Sequence, residues 1–284
     1  MRLLDKLLLT IFIIPFSGIA QPGFNVMTFN IRLNTPADSS NAWEHRRDKV
    51  YSQVRFYDVD ILGIQEGLIG QVNDLKSVMN IHKFVGVGRD DGKEKGEFSG
   101  LFINTEKFRI LNSGTFWLSL TPDIPGSKSW DAAITRICTW ALLKEKCGRH
   151  RFYVFNTHLD HMGPISRVES IKLILLKIDE LPRHYPVILM GDMNSTGVED
   201  PIKTISAHTN NIPLFNSAEL SAERHYGPLG TFNNFKSHEA NEQPIDFIFV
   251  TGDFHVLKHA TISESWNGHF SSDHFPVFVK LRLN

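Results

Sequence analysis

The chain has 284 residues, 42% hydrophobic, 21% charged and 11% aromatic, the composition of a globular protein with one substantial core, which excludes a disordered tail protein and a coiled coil. Lys and Arg number 30 against 31 Asp and Glu, a formal net charge of -1. No general basic field exists to hold a long polyanion, although a local basic groove stays open.

Residues 1–20 read as an address. Met1, Arg2 and Lys6 supply positive charge, interrupted by Asp5, and Leu7 to Ala20 is an almost unbroken apolar run. Gly18 and Ala20 put small residues just before Gln21, and the run is shorter than the roughly 20 residues a membrane-spanning helix needs. A signal peptide cleaved after Ala20 is expected, with residues 21–284 forming one periplasmic or secreted domain. No Cys follows Ala20 to take a lipid anchor.

From Phe24 to Leu33 apolar and polar residues alternate as in a strand. A helix is predicted over Asn41 to Tyr57, a strand over Val59 to Gln65, and a second helix over Leu68 to Met79. Strands follow over Lys83 to Val87, Gly100 to Asn104 and Gly114 to Leu118. Between the first two, the charged, glycine-containing run Asp90 to Glu97 predicts a flexible loop, and Thr121 to Asp131, with Pro122, Pro125, Gly126 and Trp130, predicts another. Strands over Ile134 to Leu143 and Arg151 to Asn156 lead to a helix starting at Pro164 and running to Leu181. The remaining strands are Pro186 to Met190, Ile245 to Val250, His255 to Ile262 and Pro276 to Leu283. Two sheets packed face to face with helices outside would bury these runs. Cys138 and Cys147 are expected to be unpaired, because an intervening strand holds them out of bridging reach.

The chemistry-bearing residues sit where the apolar strands end. Asn30 and Arg32 share the polar face of the first strand, and Gln65 and Glu66 close the second. His158 follows Asn156 and Thr157, and Asp192 and Asn194 follow Val187 to Met190. Asp246 opens the apolar run to Val250, and Asp273 and His274 precede the last strand. Buried Asp is rare unless paired, and Asp-x-Asn after a buried strand is more than one turn requires. Carboxylates and amide oxygens without thiolates suit a hard cation, Mg²⁺ or Mn²⁺, and point to transfer of a phosphoryl group to water. In that chemistry Asp192 would position or deprotonate water, and Asp246 would orient His274.

The ordered segments Thr28 to Arg32, Gln65-Glu66, Asn156 to Leu159, Gly191 to Asn194, Ile245 to Ile248 and Ser272 to Val277 resemble the endonuclease/exonuclease/phosphatase superfamily over nearly the whole of residues 21–284, leaning to its deadenylase-like branch. The resemblance implies an α/β (α+β) fold, a four-layer α/β/β/α sandwich of two central mixed sheets flanked by helices. It implies Glu66, Asn30 and Asp273 as metal ligands, and Asp192, Asn194, His158, Asp246 and His274 as catalytic residues. Arg32 stands where some repair-type members carry a carboxylate, so one-metal chemistry is the default and Arg32 is a candidate for holding phosphate. Arg136, in an apolar strand, either forms a structural salt bridge or meets substrate phosphate. Thr231, in Gly230-Thr231-Phe232, and Trp130 are candidate substrate contacts. The implied substrate is a phosphate ester, first a nucleotide or short single-stranded nucleic acid, with a sugar phosphate, inositol phosphate or phospholipid headgroup as the alternative. A binding module on an inactive scaffold is the remaining class; no protein partner is indicated.

Overall fold

The structure, a computed structural model, describes residues 23–182, 185–209, 212–236 and 242–283; the predicted signal peptide lies outside the described residues. In chain order the strands are β1 (Phe24–Asn30), β2 (Ile61–Gly67), β3 (His82–Val85), β4 (Phe98–Asn104), β5 (Phe108–Trp117), β6 (Ile137–Glu145) and β7 (Arg151–His158). They continue as β8 (Val187–Asp192), β9 (Phe215–Asn216), β10 (Asp246–Val250), β11 (Phe254–Thr261), β12 (Ser265–Trp266), β13 (His269–Phe270) and β14 (Val277–Leu283). The helices are α1 (Trp43–Phe56), α2 (Ile69–Val78), α3 (Pro164–Asp179), α4 (Asp200–Ser206) and the single turn α5 (Ser217–Leu220).

One sheet runs β11-β14-β1-β2-β4-β3 and the other β5-β6-β7-β8-β10-β9, with β12 and β13 as a separate hairpin. Each sheet is mixed. β1 pairs parallel to β2, and β7 parallel to β8, and parallel neighbours need a crossover, supplied by α1 and α3. Three buried clusters fill the three gaps between four layers. Val26, Ile61, Leu143, Val154, Ile188 and Ile248 meet between the sheets. Val50 and Val54 of α1 and Val72 and Leu75 of α2 cover Met27, Leu62 and Phe102 on one outer face. Ile171, Ile174 and Ile178 of α3 and Ile202 and Ile205 of α4 cover Phe155 and Leu189 on the other.

Where the strands differ from expectation, a local bond explains it. The first ends at Asn30 because Arg32 turns to a left-handed φ of 55°. β6 starts at Ile137 because the N–H groups of Ala133 and Ile134 donate to the Asp160 carboxylate (3.1 and 3.2 Å) instead of joining the sheet. α4 was not legible, since in seven residues a single i,i+3 pair of buried aliphatics, Ile202 and Ile205, is too little to set a helical period. The Asp90 to Glu97 segment is a loop, as expected, and carries internal bonds: Asp91 Oδ1 accepts from the N–H groups of Lys93 and Lys95 (2.8 and 3.0 Å), and Arg89 N donates to Glu97 O (3.1 Å). Trp117 Nε1 then donates to Arg89 O at 2.6 Å, and Pro125 lies against Gly92, fastening the loop to the Thr121 to Asp131 segment. Cys138 is buried, Cys147 exposed, and both are free. No helix among the described residues is long and apolar enough to cross a membrane.

Away from the strand ends that carry the polar residues, β11 holds an acid-labile contact. His259 is buried, its Nδ1 2.9 Å from Nδ1 of His225, a contact that admits one proton. Burial, and then His225, push His259 down to about 4. The unfolded chain takes up a proton near 6.5, while the folded state resists until about 4. The expected result is loss of about 3 kcal/mol as pH falls from 6.5 to 4. His259→Gln should remove much of that slope in urea midpoints measured across this range; an unchanged slope would rule the pair out as its source.

Candidate active site

Parallel pairing sends the C-terminal ends of β1, β2, β7 and β8 to one edge of the sandwich. Asn30, Glu66, His158 and Asp192 therefore converge there. β10 runs antiparallel to β8, so its first residue, Asp246, pairs with Asp192, which pairs on its other side with His158. Asp273 and His274 arrive just before β14, and His274 bridges to Phe232. Behind this edge Gln65 Nε2 donates to Asn156 Oδ1 (2.6 Å), and Asn156 Nδ2 donates to the carbonyls of Ile64 and Gly100 (both 2.9 Å), joining the two sheets. A Cβ on Gly63 would meet Asn156 Oδ1 at 2.7 Å, so glycine is required for this close approach.

Asn30 Nδ2 donates to Glu66 Oε1 (3.0 Å) and Asp192 Oδ2 (2.9 Å), while its Oδ1 accepts from Arg32 N (3.0 Å). His274 Nδ1 lies 2.9 Å from Asp246 Oδ2, and its Nε2 lies 3.8 Å from Asp192 Oδ2. Asn194, at φ 44°, donates its backbone N–H to Asp192 Oδ1 (2.9 Å). Its side-chain Nδ2 donates to Leu159 O and stands 2.9 Å from His158 Nε2. His158 Nε2 is 3.4 Å from Asp192 Oδ2.

Electrostatics divide these groups. Burial, reinforced by Asp246, pushes Asp192 up to about 7. Burial alone would depress His274, but Asp246 and Asp192 outweigh it and hold the imidazole well above its ordinary range. Burial, then Arg136, keep His158 well below that range, so it is neutral. Burial opposes ionisation of Glu66, yet the Asn30 amide, His274, the Leu33 N–H and Arg32 together bring it below the usual carboxylate value. Asp273 is raised by burial.

The residues expected to touch substrate separate into engaged and unengaged groups. Arg32 is engaged with carboxylates through Nε and Nη2, which donate to Asp38 (both 3.0 Å), with Glu66 and Asp273 at 3.8 and 3.7 Å, while the side chain stays 29% exposed. Its charge serves carboxylates. Thr231 is corrected, being wholly buried with Oγ1 accepting from the N–H groups of Ile245 (3.0 Å) and Asp246 (3.2 Å); it fixes the start of β10 and presents nothing to a ligand. Trp130 is half-buried at a left-handed φ of 54°, next to Asp131, whose carboxylate accepts from the first turn of α3.

Arg136 is buried and forms a long ion pair with Asp160 rather than a hydrogen bond. Its nearest carboxylate, Asp160, stands 3.9 Å away and is already filled by the N–H groups of Ala133, Ile134, Met162 and Gly163. Nη2 lies 3.3 Å from His161 Nδ1, and Nε has no hydrogen-bond partner. Sequence reasoning missed Arg89, which reaches this neighbourhood through Glu97 (2.6 Å); only the folding of its loop brings it there.

Among the described residues, Asp192, Asp246 and His274 bring one ligand atom each within 4.8 Å of the others. His274 is committed to Asp246, so this trio forms a proton network. The oxygen donors of Glu66, Asp273 and Asp192, without sulfur, are of the kind that suits a hard divalent cation, although in this conformation they do not all approach within 4.8 Å of one another.

The model of the endonuclease/exonuclease/phosphatase family matches residues 27–274. Among solved structures, an endonuclease/exonuclease/phosphatase from Bacteroides vulgatus is 37% identical with a TM-score of 0.87, covering 92% of this chain and 99% of that one. A mannosyl-6-phosphatase from Bacteroides thetaiotaomicron is 38% identical with a TM-score of 0.85, covering 92% and 100%. The CCR4-Not complex 3'-5'-exoribonuclease subunit Ccr4 of Mycosarcoma maydis is 23% identical over 93% of this chain and 51% of its own length; the chain spans about half the length of the curated relatives it matches. With the match running from β1 through His274 and both sheets present, the chain belongs to the endonuclease/exonuclease/phosphatase family, which acts hydrolytically on phosphate esters.

Proposed function

We propose that this chain hydrolyses a phosphate monoester of a small sugar, using water and a divalent cation, Mg²⁺ or Mn²⁺, held by Glu66 and Asp273 with Asp192 and Asn30 beside them. The reaction rests on one observation, the buried Asp246–His274–Asp192 network at the shared edge of the sheets. Asp192 accepts a proton from water as the oxygen attacks phosphorus, and the bond to the sugar oxygen breaks, that oxygen taking a proton from solvent so that the sugar leaves as its alcohol. His274, kept protonated by two carboxylates, faces the charge that develops on phosphate. Asn194, His158 and the charge of the Arg136 guanidinium act on the non-bridging oxygens. The cation, when bound, neutralises phosphate oxygens. The sugar phosphate is supported by the 38% identity to the mannosyl-6-phosphatase across its full length. The Ccr4 relative supports the second reading, a nucleotide or short single-stranded nucleic acid. An export signal over residues 1–20, placing the enzyme outside the cytoplasm, belongs to the same proposal and is tested by the mature N-terminal mass.

Residues 21–284 with Mg²⁺ should release inorganic phosphate from mannose 6-phosphate or a related hexose phosphate, stop with EDTA and recover with added Mg²⁺. Shortening of an oligoadenylate without phosphate release from sugars would favour the second reading. Binding of either compound without turnover would make the chain an inactive scaffold.

Arg136→Met keeps the volume and removes the charge. A charge-assisted hydrogen bond contributes about 1.5–3 kcal/mol, so kcat/KM should fall roughly 10- to 100-fold. Arg136→Lys should recover little, because an ammonium cannot reproduce the guanidinium fork. Parental kcat/KM in Arg136→Met would remove this residue from the phosphate site.

A further inference from the structure

We infer that Arg46, on α1, is a positioning residue that sets the spacing between the Glu66 and Asp273 sides of the proposed cation site; the inference rests on that reading of the site. Arg46 is 1% exposed. None of its hydrogen bonds goes to a carboxylate. Nε donates to Asn41 O (2.7 Å), Nη1 to Ile31 O and to Ser271 O (3.2 Å), and Nη2 to Arg32 O (2.7 Å) and Leu33 O (3.4 Å). Cζ lies 5.3 Å from the Trp43 ring and 5.7 Å from that of Phe235. Burial lowers its pKa to about 10, so it remains charged at neutral pH.

A buried guanidinium without a hydrogen-bonded carboxylate is costly, and carbonyl dipoles offset that cost here. Their placement is the informative point. Ile31, Arg32 and Leu33 form the exit of β1, to which Glu66 is bound through Asn30 Nδ2 (3.0 Å) and Leu33 N (3.1 Å). Ser271 precedes the Ser272-Asp273-His274 segment, and Ser272 Oγ donates to Asn30 O (2.7 Å). Asn41 ends the turn that presents Asp38 to Arg32. One planar ion thus joins chain segments far apart in sequence, each bearing a group of the acidic site. Five N–H groups in a rigid fork meet five carbonyls; a lysine, with three donors on one atom, leaves at least two unmet.

The test is calorimetric titration of Mg²⁺ into metal-free protein, comparing the parent with Arg46→Lys and Val50→Ala. Val50 is a wholly buried residue one turn along the same helix, and its apolar side chain makes none of these hydrogen bonds. Arg46→Lys should weaken Mg²⁺ binding at least tenfold and lower kcat with little change in KM. Val50→Ala should lower Tm with parental Mg²⁺ affinity. Parental affinity in Arg46→Lys, or an equal loss in Val50→Ala, would overturn the inference. If Arg46→Lys fails to fold, Gln53→Ala serves, since Gln53 Oε1 accepts from Ser271 Oγ (2.6 Å) as a second tie from α1; a several-fold weakening is expected, and no change overturns the proposal. A parent chain that binds no Mg²⁺ would instead reject the cation site itself, and the inference with it.

Discussion

Asp192→Asn should lower kcat roughly a thousandfold while leaving the metal-free protein at least as stable as the parent at pH 8. Positioned general bases contribute about 10²–10⁴-fold, and an amide cannot take the proton. The substitution is isosteric, so the Asn194 N–H keeps its acceptor at position 192. The bond from Asn30 is lost, but Asn30 keeps Glu66. Against that loss stands relief of a buried like-charge contact. Asp192 is 1% exposed and titrates near 7, first through burial and then through Asp246. For a carboxylate with a raised folded pKa, stability is fully present below the unfolded value near 3.9 and declines as pH rises toward about 7. The stabilisation from Asn should therefore be absent at acid pH and grow toward pH 8. Thermal unfolding in EDTA at both ends of this range, with kinetics in Mg²⁺, decides it. Activity within tenfold of the parent would sink the assignment of the base, and a lower Tm at pH 8 would sink the electrostatic argument.

Glu66→Gln should abolish the Mg²⁺-dependent rise in Tm and cut kcat/KM by about 10³. A ligand at one hundred times its dissociation constant stabilises the folded state by about 2.7 kcal/mol, which is readily seen in a melt. The backbone supports the assignment independently. Glu66 adopts φ 63° beside a register shift in the pairing of β2 with β4 between Ile64 and Gly67. A non-glycine residue held there costs of order 1–3 kcal/mol, and such strain gathers where a side chain must point in one direction. Gln keeps an acceptor for Asn30 but loses the charge facing Arg32 at 3.8 Å. A parental Mg²⁺ shift in Glu66→Gln would remove Glu66 as the principal ligand.

Much of this edge was legible because its residues break a local rule. Asp246 opens an apolar strand, and Asp192 and Asn194 follow another; strand propensity accounts for neither. Their convergence follows from where the strands end. Arg46 breaks no local rule: it lies in a charged stretch, His45 to Asp48, that reads as a solvated helix face, and its acceptor at Ser271 is 225 positions away. Thr231 failed differently. Its segment suggested a cleft wall, but a hydroxyl accepting two backbone N–H groups is a structural clamp, and sequence does not distinguish those roles. Charged composition marked Asp90 to Glu97 as a loop but gave no sign of the bonds that one carboxylate, Asp91, makes inside it.

The Gln65–Asn156 bond bears on how this protein could acquire new substrates. It crosses between the sheets behind the reacting edge, with Gly63 letting Asn156 approach closely, and ties the two sheets together there. The Arg89 to Glu97 and Thr121 to Asp131 segments are fastened to each other through Trp117 and Pro125, and we propose that they carry substrate discrimination as one unit. On that proposal, exchanging the paired loops between relatives would transplant a preference and leave the Asp246–His274–Asp192 network intact.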